Sequence, residues 1–443
     1  MAKNRKFAFI INYGIEYRMY LISGLLEELS KSNQVVVIRR DIENKYFDEY
    51  KSIFDFETIT LDNRLMNPKR TKLENIFQSI RQSRIKLLGK TPFKNYNIKK
   101  NKLLFKDIIK GNFLTFNIAR LFTLKSISKN YSDDELKNIL KKGGITDIVI
   151  SGYSSTCNIN FAINSLASNI KVWTFINSWK DYYINDFLPF KANGFFVWSE
   201  SMKHDFLSTN THINKNIIYP TGNIVFDRFY NPIISFKREY YQNKYNFKNT
   251  DKLFLYCMLD PDRYQDEEKI ILLISKKLKE TQFDFKILVK KNPFDSSLKV
   301  NHFFKNNEDI SVLEHYSQRD KKNDFFIQSI NGEKEWIDLL AYSNYILGAA
   351  STVALEAIMM KKPVLTICFD KNGNEDRFLK TLCEVDFYKE LLKREDIHVS
   401  SNTRQLLEKI STNKKILEFI VPSILGIFEG KSLDKVINIM EKK

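Results

Sequence analysis

A short run of small and hydroxyl-bearing residues in the last quarter of the sequence has the composition of a phosphate-binding turn. Residues 348–352 (Gly-Ala-Ala-Ser-Thr) follow the apolar run 345–347, and apolar residues at helical spacing come directly after them. This order predicts a strand, a tight turn with Ser351 and Thr352 at the N-cap, and a helix. Such a turn offers backbone N–H groups and two hydroxyls to an anion. Glu356, one turn into the helix, is expected to be surface-accessible and could hold the two hydroxyls of a ribose.

The elements around this turn carry a family resemblance. Residues 345–364 read Tyr-Ile-Leu-Gly-Ala-Ala-Ser-Thr-Val-Ala-Leu-Glu-Ala-Ile-Met-Met-Lys-Lys-Pro-Val. They resemble the nucleotide-binding element in the C-terminal half of GT-B glycosyltransferases, and residues 335–343 are similar to the helix that leads into it. The resemblance implies an α/β protein of GT-B architecture, with two Rossmann-like doubly wound domains. It also implies that the donor is bound by Gly348, Ser351, Thr352 and Glu356. From the residues alone, an ordinary strand–helix turn with a surface glutamate is the alternative.

A loop earlier in the predicted C-terminal domain could supply positive charge to the donor. Residues 288–293 (Leu-Val-Lys-Lys-Asn-Pro) stand where many relatives have Arg-x-His-Pro, with Asn292 in place of the histidine. If that histidine contacts the donor phosphate in the relatives, Lys290 or Lys291 is expected to supply the charge here.

The pattern Asp260-Pro-Asp262 could suggest a divalent metal ion held with phosphates. Acids beside a proline are also typical of a helix start. We favour the second interpretation, with a helix from Asp262 to about Leu278. The sequence therefore predicts no metal site, and no cofactor beyond a nucleotide sugar used as substrate.

Two carboxylates of the predicted N-terminal domain are candidates for catalysis. Transfer of a sugar needs a general base near the acceptor hydroxyl. In a two-domain transferase this base is expected from the N-terminal domain and the donor clamp from the C-terminal one. Glu16 follows the first predicted strand, at the carboxyl end where ligands of such sheets collect, although it could equally decorate a helix N-terminus. Asp181 follows the predicted strand 172–176 and is the second candidate.

Three further residues are candidates for contacts to the acceptor. Arg18 matches an arginine in the opening loop of the bacterial surface-glycan transferases that the chain resembles, with Tyr17 where those enzymes often have His. Trp179 stands in Ser-Trp-Lys-Asp, where these relatives tend to carry Ser-Trp-Asp, and it could form a sugar platform or simply pack. Gly222 ends a predicted strand and could permit close backbone approach.

Length and composition favour two folded domains in a reducing compartment. The chain has 443 residues, of which 43% are hydrophobic. Alternating strands and helices predict an N-terminal domain at 1–232, with a basic helical insert at 64–142, and a nucleotide-donor domain at 247–443. A helix over about 19–32 is predicted after the first strand. The four cysteines are scattered, and no signal peptide or membrane-spanning run is evident, so we expect a cytoplasmic protein.

Positive charge is concentrated in residues 64–130. This segment holds seventeen Lys or Arg against two acids, Glu74 and Asp107, whereas the rest of the chain holds 53 basic and 51 acidic residues. A coding bias toward lysine would not remove the acids from one segment. Because the segment also has helical apolar faces, it is predicted to meet an anionic membrane surface. Binding to nucleic acid is the alternative, and we predict none.

These features favour a metal-independent glycosyltransferase. It is expected to move a sugar from a nucleotide-activated donor to a surface polysaccharide or lipid-linked glycan, at the inner face of the cytoplasmic membrane. The chain is also similar to the CDP-glycerol glycerophosphotransferase and nucleotide-sugar epimerase superfamily, so polyol-phosphate transfer and epimerisation are alternatives. A basic protein that binds nucleic acid or membrane without catalysis is the alternative from a different class.

Overall fold

The computed structural model describes residues 5–12, 14–41, 45–87, 105–152, 155–178, 190–293, 295, 297–314, 317–320, 325–393, 397–412 and 430–443. The chain divides into two compact units. Unit 1 comprises Met1–Asp227 and Ser423–Lys443, and unit 2 comprises Arg228–Pro422. Each unit contains a parallel β-sheet with helices in the connections, which confirms the predicted α/β class with two doubly wound domains.

Seven parallel strands form the sheet of unit 1 in the described part of the chain. They are β1 (Lys6–Ile11), β2 (Gln34–Arg40), β3 (Glu57–Leu61), β4 (Asp147–Ser151), β5 (Lys171–Phe175), β6 (Gly194–Val197) and β7 (Ile218–Pro220). Their order is β3-β2-β1-β4-β5-β6-β7, so the direction of winding reverses between β1 and β4. The central strands are continuous apolar runs that are almost entirely buried, because helices cover both faces of such a sheet.

Helices connect the strands of unit 1. They are α1 (Gly14–Tyr17), α2 (Leu25–Ser30), α3 (Lys45–Ile53), α4 (Asn63–Met66), α5 (Lys72–Leu87), α6 (Phe105–Gly111), α7 (Phe113–Asn130), α8 (Asp134–Lys142), α9 (Thr156–Ala167) and α10 (Glu200–Thr209). Helices α5 to α8 lie between β3 and β4 and form the predicted basic helical insert. Within it, α5 packs against both α6 and α7. No helix among the described residues is long and apolar enough to cross a membrane.

The helix predicted over 19–32 is interrupted in the structure. A π-helical turn spans Arg18–Ile22, and the N–H of Ser23 donates to the carbonyl of Arg18 at 3.1 Å. Gly24 then adopts a φ of +83°, a conformation that glycine enters without steric cost, and α2 begins after it. The apolar spacing indicated a helical face but not this break.

Unit 2 has a six-stranded parallel sheet and a separate antiparallel pair among its described residues. The strands are β8 (Lys252–Cys257), β9 (Phe285–Lys290), β10 (Ile310–Val312), β11 (Ser317–Asp320), β12 (Phe325–Gln328), β13 (Tyr345–Gly348), β14 (Val364–Ile367) and β15 (Ile397–Ser400). Strands β11 and β12 form the pair. The order of the sheet is β10-β9-β8-β13-β14-β15, so its winding reverses between β8 and β13.

The helices of unit 2 follow the same alternation. They are α11 (Asp227–Tyr230, which begins at the last residue of unit 1), α12 (Arg238–Tyr245), α13 (Glu267–Leu278), α14 (Lys299–Phe304), α15 (Ile330–Tyr342), α16 (Val353–Met359), α17 (Arg377–Cys383), α18 (Asp386–Leu391) and α19 (Thr403–Thr412). The predicted start of α13 at Asp262 is wrong. The carboxylate of Asp260 accepts from the N–H of Asp262 at 3.0 Å in a local turn, and the helix begins only at Glu267.

The last helix, α20 (Ser432–Lys442), packs in unit 1. Its N–H at Leu433 donates to the carboxylate of Asp227 at 2.8 Å, and the guanidinium of Arg5 donates to the carbonyl of Met440. The predicted domain 247–443 assigned this helix to the other unit. The difference arises because an amphipathic helix at the end of a chain packs on whichever apolar surface it reaches, which sequence position does not reveal.

Candidate functional site

The winding reversal of unit 2 brings the predicted donor turn to the position where ligands bind in open α/β sheets. That position lies beyond the carboxyl ends of β8 and β13, which are neighbours in the sheet. Gly348 ends β13 with a φ of +150°. A Cβ built on it would lie 2.6 Å from the carbonyl oxygen of Cys257, the last residue of β8. The turn therefore needs glycine here, because any side chain would separate the two strands.

The turn between β13 and α16 has polar groups that no described residue uses. The N–H groups of Ser351, Thr352 and Val353 donate to no described acceptor, and neither hydroxyl makes a hydrogen bond to a described residue. Thr352 is the N-cap residue by position, but its side chain does not cap the helix. The predicted capping by hydroxyls is therefore absent, and both hydroxyls remain available to a ligand. Thr352 is exposed and Ser351 is half-buried.

Glu356 is buried rather than surface-accessible, which corrects the expectation for its side chain. It is 5% exposed, and its Oε2 accepts a hydrogen bond from the indole Nε1 of Trp336 at 2.7 Å. Trp336 lies on α15 and is itself buried. A buried carboxylate needs such a donor because it has lost its hydration. The indole therefore orients the carboxylate of Glu356 one turn below the donor turn.

Sequence reasoning assigned no role to Trp336. The helix that carries it is itself held firmly: the carboxylate of Asp338 accepts from the N–H groups of Ser235 and Phe236, each at 2.9 Å, and from the hydroxyl of Tyr241 at 2.7 Å. One signal was present in the sequence, since Trp336 is the only tryptophan of the predicted domain 247–443. Its partner could not be read from spacing, because Glu356 is twenty residues away on another helix.

The two lysines of the β9 loop differ in their environments. The ammonium of Lys290 lies 4.6 Å from the centre of the Trp336 ring, in a cation–π contact beside the buried Glu356. Burial raises the pKa of the Cys257 thiol to about 12, while the charge of Lys290 lowers it and that of Glu356 raises it, so all three groups are neighbours. Lys291 instead donates to the carbonyl of Ser297 at 2.7 Å, and burial lowers its pKa. Lys290 is therefore the lysine that faces the Glu356–Trp336 pair.

A second buried carboxylate lies at the carboxyl end of β8. Glu267 accepts from the hydroxyl of Tyr256 at 3.0 Å and from the N–H of Leu259 at 2.9 Å. Burial raises its pKa to about 7, the two hydrogen bonds lower it, and the charge of Glu268 raises it further. The carboxyl thus fixes the loop that follows β8. In the sequence, Glu267 lies inside the helix predicted at 262–278, and nothing there indicates its burial.

In unit 1, Glu16 lies on α1 beside the reversal between β1 and β4. It is fully buried, and its Oε2 accepts from the backbone N–H of Asn12, directly after β1. Burial raises the pKa of the Tyr20 hydroxyl, and the charge of Glu16 raises it further. The carboxylate thereby joins the loop after β1 to the helix that follows it, as the glutamate of a capping box does.

Polar groups at the ends of β4 and β5 meet beside the same reversal, together with a side chain of α9. The carboxamide of Asn158 donates to the carbonyl oxygens of Ser151 and Gly152, at 2.6 and 3.1 Å. The hydroxyl of Ser151 bonds the side chain of Asn177, which follows β5. The next residues of that loop include Trp179 and Asp181, and both lie outside the described residues.

The two remaining predicted residues have structural contacts in unit 1. Arg18 is half-buried, and its carbonyl closes the π-helical turn. Gly222 has a φ of +92°, and a Cβ built on it would lie 2.2 Å from the hydroxyl of Ser432, at the start of α20. Glycine is needed there by the C-terminal helix. Among the described residues, no group of three or more His, Cys, Asp or Glu side chains is arranged to hold a metal ion.

Comparisons with known proteins agree with this architecture. No protein-family model and no curated protein sequence matches the chain. The UDP-GlcNAc 2-epimerase of Neisseria meningitidis, bound to UDP-GlcNAc, is 14% identical with a TM-score of 0.57, over 100% of both chains. That of Methanocaldococcus jannaschii, in complex with UDP-GlcNAc and UDP, is 14% identical with a TM-score of 0.55, again over 100% of both chains. A further UDP-N-acetylglucosamine 2-epimerase is 13% identical with a TM-score of 0.60, over 99% of this chain and 96% of the other.

At these identities the likeness shows the fold alone. The likeness covers the whole chain and therefore both units. Each unit of this protein has the strand order given above. The predicted GT-B type of architecture is therefore confirmed. The reaction is a separate question, which depends on the chemistry of the two strand-end sites.

Proposed function

We propose that the protein is a glycosyltransferase that takes a sugar from a nucleotide-activated donor. Unit 2 binds the donor, and the acceptor is a surface polysaccharide or a lipid-linked glycan. The observation that carries the donor assignment is the turn after β13. There, unused N–H groups and hydroxyls lie one helical turn above a buried carboxylate that an indole holds in place. Solved structures of the same fold contain UDP-GlcNAc and UDP, which supports a nucleotide sugar as the ligand.

Each group of this turn matches one part of a nucleotide sugar. The N–H groups and hydroxyls of Ser351 and Thr352 would bind phosphate oxygens, which accept several hydrogen bonds at once. Gly348 lets the backbone approach the ligand closely. Lys290 supplies a positive charge near the phosphates, so that a nucleotide can depart as an anion. Glu356 would accept from the two ribose hydroxyls, because a carboxylate has several acceptor positions.

A transferase also needs a base for the acceptor hydroxyl, and we propose Glu16 or Asp181. Glu16→Gln keeps an acceptor for the N–H of Asn12 and removes the ionisable group. If Glu16 is the base, turnover falls about 10²-fold or more while donor affinity persists. Asp181→Asn applies the same comparison to the other loop. Full activity in both variants would show that the base lies elsewhere.

The preference for a ribose over a 2′-deoxyribose nucleotide tests the assignment of Glu356 to the donor site. A thermal-shift screen of UDP, GDP, CDP, CMP and dTDP sugars, with CDP-glycerol included, identifies the nucleotide. Affinity for that nucleotide is then compared with affinity for its 2′-deoxy analogue, by calorimetry, in the wild type and in Glu356→Gln. A hydrogen bond to a charged group contributes about 1.5–3 kcal/mol, so the wild type should prefer the ribose form about 10- to 100-fold. The variant should lose this preference, and equal preferences in the two proteins would remove Glu356 from the ribose site.

Trp336→Phe provides the second arm of this experiment. It removes the indole donor from Glu356, so nucleotide affinity should fall although the mutated residue need not touch the ligand. Trp173→Phe is the matched control. Trp173 is also buried, and its Nε1 donates to the carboxylate of Asp147 at 2.8 Å in unit 1. Both variants lose an indole–carboxylate hydrogen bond, but only Trp336→Phe should lower the affinity for the nucleotide.

Epimerisation of a nucleotide sugar is the second candidate function, because solved structures that match over the whole chain include UDP-GlcNAc 2-epimerases. The products distinguish the two. A transferase with acceptor releases one nucleotide for each glycan extended. An epimerase that acts through a carbon-bound proton returns an intact nucleotide sugar and incorporates deuterium from D₂O. NMR of the bound nucleotide sugar in D₂O, without acceptor, decides between them, and deuterium in an epimerised donor would overturn the transferase.

A further inference from the structure

Helix α7 of the basic insert is apolar on two opposite faces. One face carries Phe116, Thr123 and Ile127, which are buried, and the ring of Phe116 lies 5.3 Å from that of Phe77 on α5. The other face carries apolar side chains in the solvent. They are Leu114, Ile118, Leu121 and Phe122, which are between 46% and 68% exposed. Their spacing of three, four and seven residues places them together on the outward side of the helix.

This outward side, which we call the α7 face, ends in positive charge. Lys125 and Lys129 continue its spacing by four and eight residues from Leu121, and both are exposed. The α7 face comprises the four apolar side chains with Lys125 and Lys129, and Lys110, at the C-terminal end of α6, adds an exposed charge before α7 begins.

The exposed charge of the described residues 64–130 has one sign, and of the acids that follow this segment, Asp133 and Glu135 pair with Arg64. The two acids of residues 64–130 are both buried. Glu74 accepts from the hydroxyl of Tyr131 at 2.9 Å, and Asp107 accepts from the hydroxyl of Ser83 at 2.8 Å. Within the described part of this segment, every exposed ionisable side chain is therefore positive. The composition left open whether the acids would be at the surface.

We propose that the α7 face docks on an anionic lipid bilayer. The helix would lie in the plane of the interface, with Leu114, Ile118, Leu121 and Phe122 among the upper acyl chains and the lysines at the lipid phosphates. Charge complementarity decides the occupant. A second copy of the chain would bring the same lysines against each other, whereas a bilayer offers both an apolar layer and negative charge. The α7 face belongs to unit 1, and its docking is independent of the reaction proposed above.

Vesicle binding tests the proposal with matched variants. Full-length protein is sedimented with vesicles of phosphatidylcholine containing about 30 mol% phosphatidylglycerol, and with phosphatidylcholine alone. Strong binding is expected to the first composition only, with a partial loss at high salt. Lys110→Gln, Lys125→Gln and Lys129→Gln together should reduce affinity about 100-fold, at about fivefold for each lysine. Equal binding to both compositions would overturn the electrostatic part of the proposal.

The control variants remove the same kinds of side chain from surfaces outside the basic insert. Lys215→Gln, Lys248→Gln and Lys276→Gln remove three exposed lysines outside the insert, so the net charge is the same as in the test variant. Leu114→Ser with Leu121→Ser should lower vesicle affinity at least about tenfold for each leucine. Ile233→Ser with Leu272→Ser, two exposed apolar residues of unit 2, should leave it unchanged. Equal losses in test and control pairs would show a general charge or hydrophobic effect and overturn the assignment to α7.

The depth of α7 in the bilayer is measured in a variant that changes only one residue of the α7 face. Phe122→Trp introduces a fluorophore that brominated acyl chains should quench, and Leu272→Trp is the unquenched control. Absence of added quenching at position 122 would mean that the helix does not insert. Sedimentation velocity and an oligonucleotide column address the other occupants. Self-association lost in Leu114→Ser with Leu121→Ser, or retention on the oligonucleotide without vesicle binding, would each overturn the proposal in favour of a second copy or a nucleic acid.

Discussion

Glu267 should make the stability of unit 2 fall as the pH rises. Burial raises the pKa of its carboxyl from an ordinary value of 4.5 to about 7, and the Tyr256 hydroxyl and Leu259 N–H replace only part of its hydration. An acid whose pKa is higher in the folded state holds its proton more firmly there. Its contribution to stability is therefore complete below the unfolded pKa and is lost as the pH rises through the folded one. The difference between the two pKa values corresponds to about 3 kcal/mol.

The perturbation is Glu267→Gln, which keeps the shape of the side chain and carries no charge at any pH. Most of the effect, about 2.5 kcal/mol, should appear between about pH 5 and about pH 8. The assay is amide hydrogen exchange of β8 and β13, because it measures the opening of unit 2 itself. At each pH the variant is compared with the wild type, so the contributions of the other titrating groups to stability cancel. The variant should gain about 70-fold in relative protection from the lower pH to the higher one.

Glu384→Gln is the control, since it removes an exposed carboxylate of the same unit. It should give the same relative protection at both pH values. A Glu267→Gln comparison that is constant within about 0.5 kcal/mol would refute the reasoning, because it would show that the folded carboxyl titrates as it does in the unfolded chain.

Two further predictions concern unit 1. Arg81 is 2% exposed, and none of its guanidinium nitrogens has a partner among the described residues, so Arg81→Met should raise the free energy of unfolding by about 1–4 kcal/mol. Chemical denaturation measures the free energy of unfolding. Arg84→Met is the control, because Arg84 donates a hydrogen bond to the carbonyl of Gly111. A loss of stability in Arg81→Met would contradict the prediction. Gly222→Ala should cost about 1–3 kcal/mol and expose α20 to limited proteolysis, since it combines a φ of +92° with a clash against Ser432. Adding Ser432→Gly should recover part of this loss, and no recovery would mean that the clash is not the cause.

The strands could be predicted from the sequence because a buried parallel strand is specified by its own residues. Strands were predicted at 345–347 and 172–176, and the structure has them at Tyr345–Gly348 and Lys171–Phe175, each bound within one residue of the prediction. Short apolar runs bounded by polar turns carry this information locally. The alternation of such runs with helices then determined the α/β class and the number of domains. The donor turn at 348–352 was likewise local, because small residues and hydroxyls occur there in a fixed order.

Tertiary structure alone decided how the polar side chains are used. Glu356 was expected at the surface, and only the packing of α15 against α16 buries it beside Trp336. Lys290 and Lys291 are adjacent in sequence, yet one faces that pair and the other bonds its own loop. The acids of the basic segment are buried by contacts to Tyr131 and Ser83. Spacing along the chain predicts neighbours within a helix or strand, whereas the burial of a charge depends on groups that folding brings from distant parts of the sequence.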